Sequence, residues 1–197
     1  DRFGHHINYL RVSITDRCNE RCQYCMPVET QEWLPREEVL SYEEILRTIR
    51  VGAGMGISKL RITGGEPLTR RNVLWFFEQL NRIERINDVG ISTNGTLLGQ
   101  MTPEGITTAQ ALKNAGVRTV NVSLDTLDRK TYAETTGRDI FPRAIEGIDA
   151  AREAGFEKIK INTVLMRHRN EHELWDLIEF ARKRDLLLRF IELMPVS

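Results

Sequence analysis

The sequence contains very little cysteine: three residues, all between positions 18 and 25, in a chain of 197. No apolar run approaches the roughly 18 residues that indicate a membrane-spanning helix, and the N-terminal segment lacks the apolar core of a signal peptide. Neither sign of charge is in excess, because basic and acidic residues number 28 each. We therefore expect a cytoplasmic protein with reduced thiols, no membrane association and no nucleic-acid partner.

Short segments rich in Val, Ile and Thr alternate with helical patterns along the chain. The sequence predicts strands at residues 9–15, 59–63, 89–93, 119–124, 158–165 and 187–193. Consecutive βα units imply a parallel sheet with right-handed crossovers. The expected fold is α/β, either an open doubly wound sheet or three quarters of a (β/α)₈ barrel, and residues 1–197 are expected to form one domain.

Several predicted helices have readable ends. Ser41 with Glu44 forms a capping-box pattern, and Thr102 before Pro103 indicates a helix N-terminus. Pro142 is expected to open a further helix. Asn170 with Glu173 is expected to cap the last one.

The polar and glycine-rich segments all lie where predicted strands end. The cysteines follow the first strand, TGGEP (63–67) the second and STNGT (92–96) the third. NVSLD (121–125), KINTV (160–164) and ELMP (192–195) lie in or end the remaining three. Because the carboxyl ends of parallel strands gather at one edge, these segments predict an active site there.

The cysteine segment itself admits several interpretations. A disulfide is disfavoured by the expected compartment and the odd number of thiols. Zinc would need a fourth ligand, and His5 and His6 lie on the far side of the first strand. A Cys22-x-x-Cys25 redox pair leaves Cys18 unexplained. Three thiolates on one short loop favour an iron–sulfur cluster.

The spacing Cys18-x3-Cys22-x2-Cys25, with GGEP after the next strand, resembles the radical S-adenosylmethionine (SAM) superfamily. The resemblance implies a partial (β/α)₆ TIM-type barrel with a [4Fe–4S] cluster held by Cys18, Cys22 and Cys25. It also implies SAM bound to the open iron. One electron from the reduced cluster would cleave SAM to a 5′-deoxyadenosyl radical.

Segments from residue 2 to residue 195, among them YLRVSITDRCNERCQYCMP, LRITGGEPLTR and RFIELMP, resemble the GTP 3′,8-cyclase family of molybdenum cofactor biosynthesis. GTP and an electron donor are therefore expected partners. By position, the residues matched to the SAM site are Tyr24, Gly65, Ser123 and Met194, with Gly64 allowing close backbone approach and Glu66 accepting hydrogen bonds. Those matched to GTP are Arg11, Arg61, Thr93 and Lys160, with Lys59 and Arg189 as additions.

The chain also departs from that family. Family members carry a second cysteine triad in a C-terminal portion, whereas no cysteine follows Cys25 here. We therefore expect a fragment that binds SAM but does not complete cyclisation alone. The exposed edges of a six-strand arc further predict self-association, including a homodimer.

Other interpretations stay open at this point. The chain fits another radical SAM enzyme, for instance one that modifies peptides, or a zinc-stabilised binding module without catalysis. Met194 also fits a core residue, Ser123 an ordinary strand residue, and Lys59 and Arg189 solvated charges. The inverted zincin pattern from His168 to His172 is expected to fail, because Asn170 as N-cap would leave His168 outside the helix.

Overall fold

The computed structural model of the protein describes residue 2, residues 4–25 and residues 33–194. Six strands form one sheet in which every neighbouring pair is parallel. The strands are β1 Tyr9–Ser13, β2 Lys59–Thr63, β3 Asp88–Thr93, β4 Thr119–Ser123, β5 Lys158–Leu165 and β6 Leu187–Glu192. All six predicted strands are present, with ends within two residues of the prediction.

The strand order decides between the two predicted architectures. The order is β1-β2-β3-β4-β5-β6 and never reverses. A doubly wound sheet needs a reversal, because its helices cover both faces. Right-handed crossovers that always advance in one direction put the helices on a single face. The sheet therefore curves around its other face as a partial (β/α)₆ barrel with open edges at β1 and β6.

The helices that cover one face of this sheet mostly begin where local signals predict. In the capping box, Glu44 N donates to Ser41 Oγ at 3.2 Å and Ser41 N donates to Glu44 Oε2 at 2.7 Å. Pro142 lies in the first turn of its helix, as predicted. The helices are α1 Tyr42–Gly54, α2 Val73–Asn81, α3 Thr108–Asn114, α4 Arg129–Thr136, α5 Phe141–Glu153 and α6 Leu174–Lys183, with 3-10 turns at Arg36–Glu38, Pro67–Thr69 and Glu171–Glu173.

The predicted start of α3 was wrong. Thr102 N donates to Ile106 O at 2.8 Å, which folds this segment back on itself. The helix begins later, where Thr107 accepts a hydrogen bond from Gln110 N at 3.2 Å. Thr102 and Thr107 are both possible N-caps in this segment, and the helix begins after Thr107.

The predicted cap of α6 was also wrong, because both side chains make tertiary contacts instead. Asn170 Nδ2 donates to the backbone oxygens of Asp125 and Val164, at 2.7 and 2.8 Å. Glu173 accepts a hydrogen bond from Leu127 N at 2.7 Å. These bonds fix the segment that follows β4, and α6 begins at Leu174 without a side-chain cap.

Helix α4 was not predicted from the sequence. Its segment RKTYAETT has only Tyr132 and Ala133 as apolar residues, so no apolar stripe marks it. Asp128 caps it by accepting a hydrogen bond from Thr131 N at 2.7 Å, and Gly137 ends it at φ 67°. The helix buries Tyr132, Thr135 and Thr136.

The hydrophobic core lies between the helices and one face of the sheet. Leu60 and Ile62 of β2 are buried there, as are Val120 and Val122 of β4. The residues between them alternate to the opposite, concave face, because successive strand side chains point in opposite directions. Within the described part of the chain, no helix has the length and apolarity needed to cross a membrane.

Candidate active site

The cysteine loop, residues 18–25, follows β1 at the carboxyl edge of the sheet. All three thiols are free. Glu20 N donates to Cys18 Sγ at 3.4 Å and Cys25 N donates to Cys22 O at 2.9 Å. Burial raises the pKa of Cys18 to about 11 and also raises that of Cys22, which disfavours the thiolate form of both residues without a metal.

This donor set fits an iron–sulfur cluster. The thiols lie on one short loop, and a backbone amide already points at one sulfur, the kind of contact that stabilises a cluster thiolate. Across the described residues, no three side chains of His, Cys, Asp or Glu are grouped to hold a single metal ion. In a [4Fe–4S] cluster with three cysteines, each thiolate binds a different iron.

The C-terminal turn of α4 forms a wall against the cysteine loop. Arg21 N donates to Thr136 O at 2.7 Å and Gln23 N donates to Thr135 O at 3.0 Å. These two bonds pair the extended loop with the end of the helix. Helix α4, which the sequence did not predict, therefore supports the loop on which the cysteines lie.

Two tyrosine–carboxylate pairs, one buried and one half-buried, join the same loop to the rest of the protein. Tyr24 of the loop donates its hydroxyl to Asp125 Oδ2 at 2.6 Å, just after β4. Tyr132 of α4 donates its hydroxyl to Glu20 Oε1 in the loop. Burial raises the pKa of Glu20 to about 7 and raises that of Asp125 as well.

Gly64 and Gly65 approach the protein's own backbone rather than open space. Gly65 N donates to Thr15 O at 2.7 Å, and Glu66 N donates to Arg17 O at 2.8 Å. A Cβ on Gly64 would lie 2.6 Å from Thr15 O, and one on Gly65 would overlap the carbonyl oxygens of Asp16 and Arg17. The glycines thus hold the GGEP segment against the start of the cysteine loop, a role that the sequence analysis did not assign.

Glu66 and Thr93 are both buried, and they bond to each other. The Glu66 carboxylate accepts hydrogen bonds from Leu68 N at 3.0 Å, Thr93 Oγ1 at 2.9 Å and Asn94 N at 2.7 Å. Thr93 Oγ1 in turn accepts from Gly95 N at 3.0 Å. Burial raises the pKa of Glu66 to about 7. Glu66 was expected from the sequence at the SAM site and Thr93 at the GTP site. In the structure their side chains hydrogen-bond to each other and to neighbouring backbone amides.

The concave face of the sheet carries six basic residues. Strand register places Arg11 beside Arg61 and Asn162 beside Arg189, and neighbours in register point to the same face. The apolar residues between them face the helices. The six basic residues are Arg11, Lys59, Arg61, Lys158, Lys160 and Arg189.

The sequence did carry a signal for this face. Segments such as KLRIT, TVNVS and KIKIN alternate polar and apolar residues. Strands of a parallel sheet are usually buried on both faces and read as continuous apolar runs. Strict alternation therefore indicated a polar interior, and it would also have indicated Thr119, Asn121 and Asn162.

Arg61 crosses the concave face in a buried position. Its Nη1 donates to Ile91 O at 3.2 Å and to Thr119 O at 3.3 Å, and only 7% of the residue is exposed. Gly90 makes room for it, because a Cβ there would overlap the guanidinium. Three buried polar atoms on this face have no hydrogen-bond partner in the described structure: Arg61 Nε, Thr119 Oγ1 and Asn121 Oδ1.

Lys160 lies in a positive environment. Burial lowers its pKa, and the charges of Arg189, Arg61 and Lys158 lower it further. Arg189 Nη2 donates to Asn162 Oδ1 at 2.7 Å, so it turns toward this face. Among the residues that the structure describes, no carboxylate forms an ion pair with any of the six basic residues.

Of the two remaining residues expected at the SAM site, Ser123 lies beside the cysteine loop and Met194 lies exposed after β6. Ser123 ends β4 and lines a cavity of about 20 Å³ together with Cys22 and Tyr24. Met194 follows β6 and is 74% exposed, so it is not a core residue in this structure. His168 lies outside any helix at φ 62°, as expected for a false zincin pattern.

Comparison with known proteins adds an independent observation. The model of the radical SAM superfamily matches residues 12–181. GTP 3′,8-cyclase of Thermodesulfovibrio yellowstonii is 46% identical over the whole chain, which spans 59% of that protein. GTP 3′,8-cyclase 2 of Pseudomonas aeruginosa is 45% identical, and the chain spans 57% of it. The chain thus covers just over half the length of these relatives.

Solved structures support the same fold. SuiB of Streptococcus suis, bound to the precursor peptide SuiA, matches 95% of the chain with a TM-score of 0.76 at 21% identity. The chain spans 39% of SuiB. Native anSMEcpe with bound AdoMet matches 95% of the chain with a TM-score of 0.71 at 18% identity, and the chain spans 51% of it. These likenesses confirm the barrel-type architecture.

Proposed function

Because the chain belongs to the radical SAM superfamily, we propose that it is the catalytic core of a GTP 3′,8-cyclase, a lyase of molybdenum cofactor biosynthesis. The single observation that carries the choice of substrate is the concave face. Six basic residues converge there without a carboxylate partner in the described structure. Register also places one acidic residue, Asp88, beside Lys59 on this face, and a triphosphate would balance the basic excess that remains.

The cofactor end of the site lies beside this face. Cys18, Cys22 and Cys25 would hold the [4Fe–4S] cluster, which, when bound and reduced, supplies the electron that cleaves SAM to a 5′-deoxyadenosyl radical. Tyr24, Ser123 and Met194 remain the proposed side-chain contacts for SAM. Gly64, Gly65 and Glu66 act by fixing the backbone of the cysteine loop, as their contacts indicate.

The proposed contacts to GTP rest on the same face of the sheet. Lys160 and Arg61 would bind phosphate oxygens, because Arg61 Nε has no hydrogen-bond partner in the described structure and Lys160 lies among the charges of Arg61 and Arg189. Arg11, Lys59 and Arg189 extend the basic surface along neighbouring strands. Thr93 is proposed to act through its hydrogen bond to Glu66, which orders the segment after β3.

The wider assignments also belong to this proposal. Residues 1–197 are proposed to form a single radical SAM core domain in the cytoplasm, reduced by an external one-electron donor and able to pair as a homodimer. Relatives extend beyond the matched region. We expect the chain alone to cleave SAM without completing the cyclisation of GTP, and a product assay tests this.

The test is anaerobic reconstitution with iron and sulfide, reduction, and measurement of 5′-deoxyadenosine with and without GTP. We expect GTP to change the rate of SAM cleavage. Lys160→Met should weaken this GTP effect by about tenfold or more in half-saturating concentration, because a charge-assisted hydrogen bond is lost. The matched control is Lys183→Met, since Lys183 lies on α6 at the surface beside Glu179.

The outcomes separate the competing functions. If SAM is cleaved with no response to GTP in any variant, the chain is a radical SAM core for another substrate, such as a peptide. If Lys183→Met weakens the GTP effect as much as Lys160→Met, the concave face is not the phosphate site. If zinc loads and iron with sulfide does not, the cysteine loop is a structural metal site and the proposal fails.

A further inference from the structure

We propose that the two tyrosine–carboxylate pairs, Tyr24–Asp125 and Tyr132–Glu20, position the cysteine loop for its cluster. Asp125, Glu20 and Tyr132 thereby become positioning residues. The inference concerns the cluster and SAM and does not depend on GTP being the substrate.

The first pair ties the loop to two strands at once. Asp125 Oδ2 accepts the hydroxyl of Tyr24 at 2.6 Å, and Asp125 Oδ1 accepts Val164 N of β5 at 2.8 Å. The backbone oxygen of Asp125 also accepts a bond from Asn170 Nδ2. Because Tyr24 lies between Cys22 and Cys25, a carboxylate anchored on both sides fixes the direction of the loop at those two thiols.

The second pair ties the loop to α4. Tyr132 reaches Glu20, which lies between Cys18 and Cys22, and both residues are almost fully buried. The Cys22 thiol donates to Glu20 Oε2 at 3.9 Å. A cysteine that has bound metal has no proton to donate. Tyr132 is then the side-chain hydroxyl that holds this carboxylate away from the metal ligands.

The two pairs enclose a common space. A cavity of about 20 Å³ lies among Glu20, Cys22, Tyr24, Asp125 and Tyr132, which is about enough for one water molecule. No basic side chain of the described structure forms an ion pair with either carboxylate. Asn94 also hydrogen-bonds the Glu20 side chain and Val164 N donates to Asp125, but each tyrosine adds a hydroxyl donor that joins the loop to a distant part of the chain.

The experiment uses Tyr24→Phe and Tyr132→Phe, which remove one hydroxyl each and keep the ring. Tyr42→Phe is the matched control, since the Tyr42 hydroxyl is buried without a partner in the described structure and its ring stacks on Phe76 in the core. Each reconstituted variant is measured for the rate of iron loss to a chelator. The electron paramagnetic resonance signal of the reduced cluster is recorded with and without SAM, and the urea midpoint is measured without metal.

We expect iron loss to be roughly tenfold faster in both pair variants and unchanged in Tyr42→Phe, because a hydrogen bond to a charged group is removed. The SAM-induced change in the resonance signal should also be altered in both. Adding Asp125→Asn to Tyr24→Phe should increase the loss little further, as coupled partners are not additive.

Two results would overturn the inference. One is iron loss and resonance signals equal to those of Tyr42→Phe. The other is a fall in the urea midpoint without any change in iron retention or in the SAM response, which would make the pairs ordinary fold contacts.

Discussion

The cysteine loop and the concave face of the sheet are both polar, but their polar groups are satisfied to different degrees. In the loop, buried carboxylates, hydroxyls and backbone amides bond to β4, β5 and α4. On the concave face, basic side chains lie near one another and buried atoms of Arg61, Thr119 and Asn121 have no partner in the described structure. The polar groups of the loop are thus satisfied within the protein, whereas several on the concave face are not.

The largest expected effect tests whether the cysteine loop binds the cluster through its thiols. Cys22→Ala should reduce 5′-deoxyadenosine formation to background, because a cluster with three protein ligands loses one of them. The apo chain should keep its urea midpoint, since the surrounding bonds of Tyr132 and Asp125 remain. Iron content and product formation are the measurements. SAM cleavage that survives in this variant would contradict the assignment of the loop.

The next effect tests how tightly the loop is packed. Gly65→Ala should lower the free energy of unfolding by about 1–3 kcal/mol, because its Cβ meets the backbone of Asp16 and Arg17. Gly54→Ala is the control: it lies at the end of α1 with nothing within 4 Å of the new Cβ, and it should gain up to about 1 kcal/mol. Both are measured by urea denaturation of the apo chain. Equal effects would show that the glycine segment does not support the loop.

The smallest effect is a pH dependence of stability from Glu66. Its pKa rises from 4.5 to about 7 on folding, chiefly through burial, so the folded chain binds more protons than the unfolded chain between these values. Stability should therefore fall as pH rises through this window and be highest below it. Glu20 is shifted in the same direction, so Glu66→Gln should reduce the slope without abolishing it.

Urea midpoints of the apo chain at about pH 5 and about pH 7.5 measure this slope. An unchanged slope in Glu66→Gln would mean that Glu66 does not titrate in this window. The contrast between the hydrogen-bonded carboxylates near the cysteine loop and the groups of the concave face would then be weaker than we infer.

Much of the site was predictable because its chemistry is local. The cysteine spacing, the GGEP segment and the capping box at Ser41 are short patterns in which a few neighbouring residues carry the information. The strand segments were predictable for the same reason, since β-branched residues mark them. The alternation in KLRIT and KIKIN was equally local, although the concave basic face was not inferred from it.

The sequence by itself determined that six strands run parallel, and it predicted which residues carry the chemistry. Only the tertiary structure decided which groups pair. Helix α4 has no apolar stripe that marks it in the sequence, and what holds it is its hydrogen bonds to the cysteine loop and the burial of Tyr132 against Phe141. The side chains of Asn170 and Glu173 do not cap α6 but form hydrogen bonds with the segment that follows β4. These outcomes depend on contacts between residues far apart in the chain, and such contacts exist only once the six strands have assembled into the curved sheet.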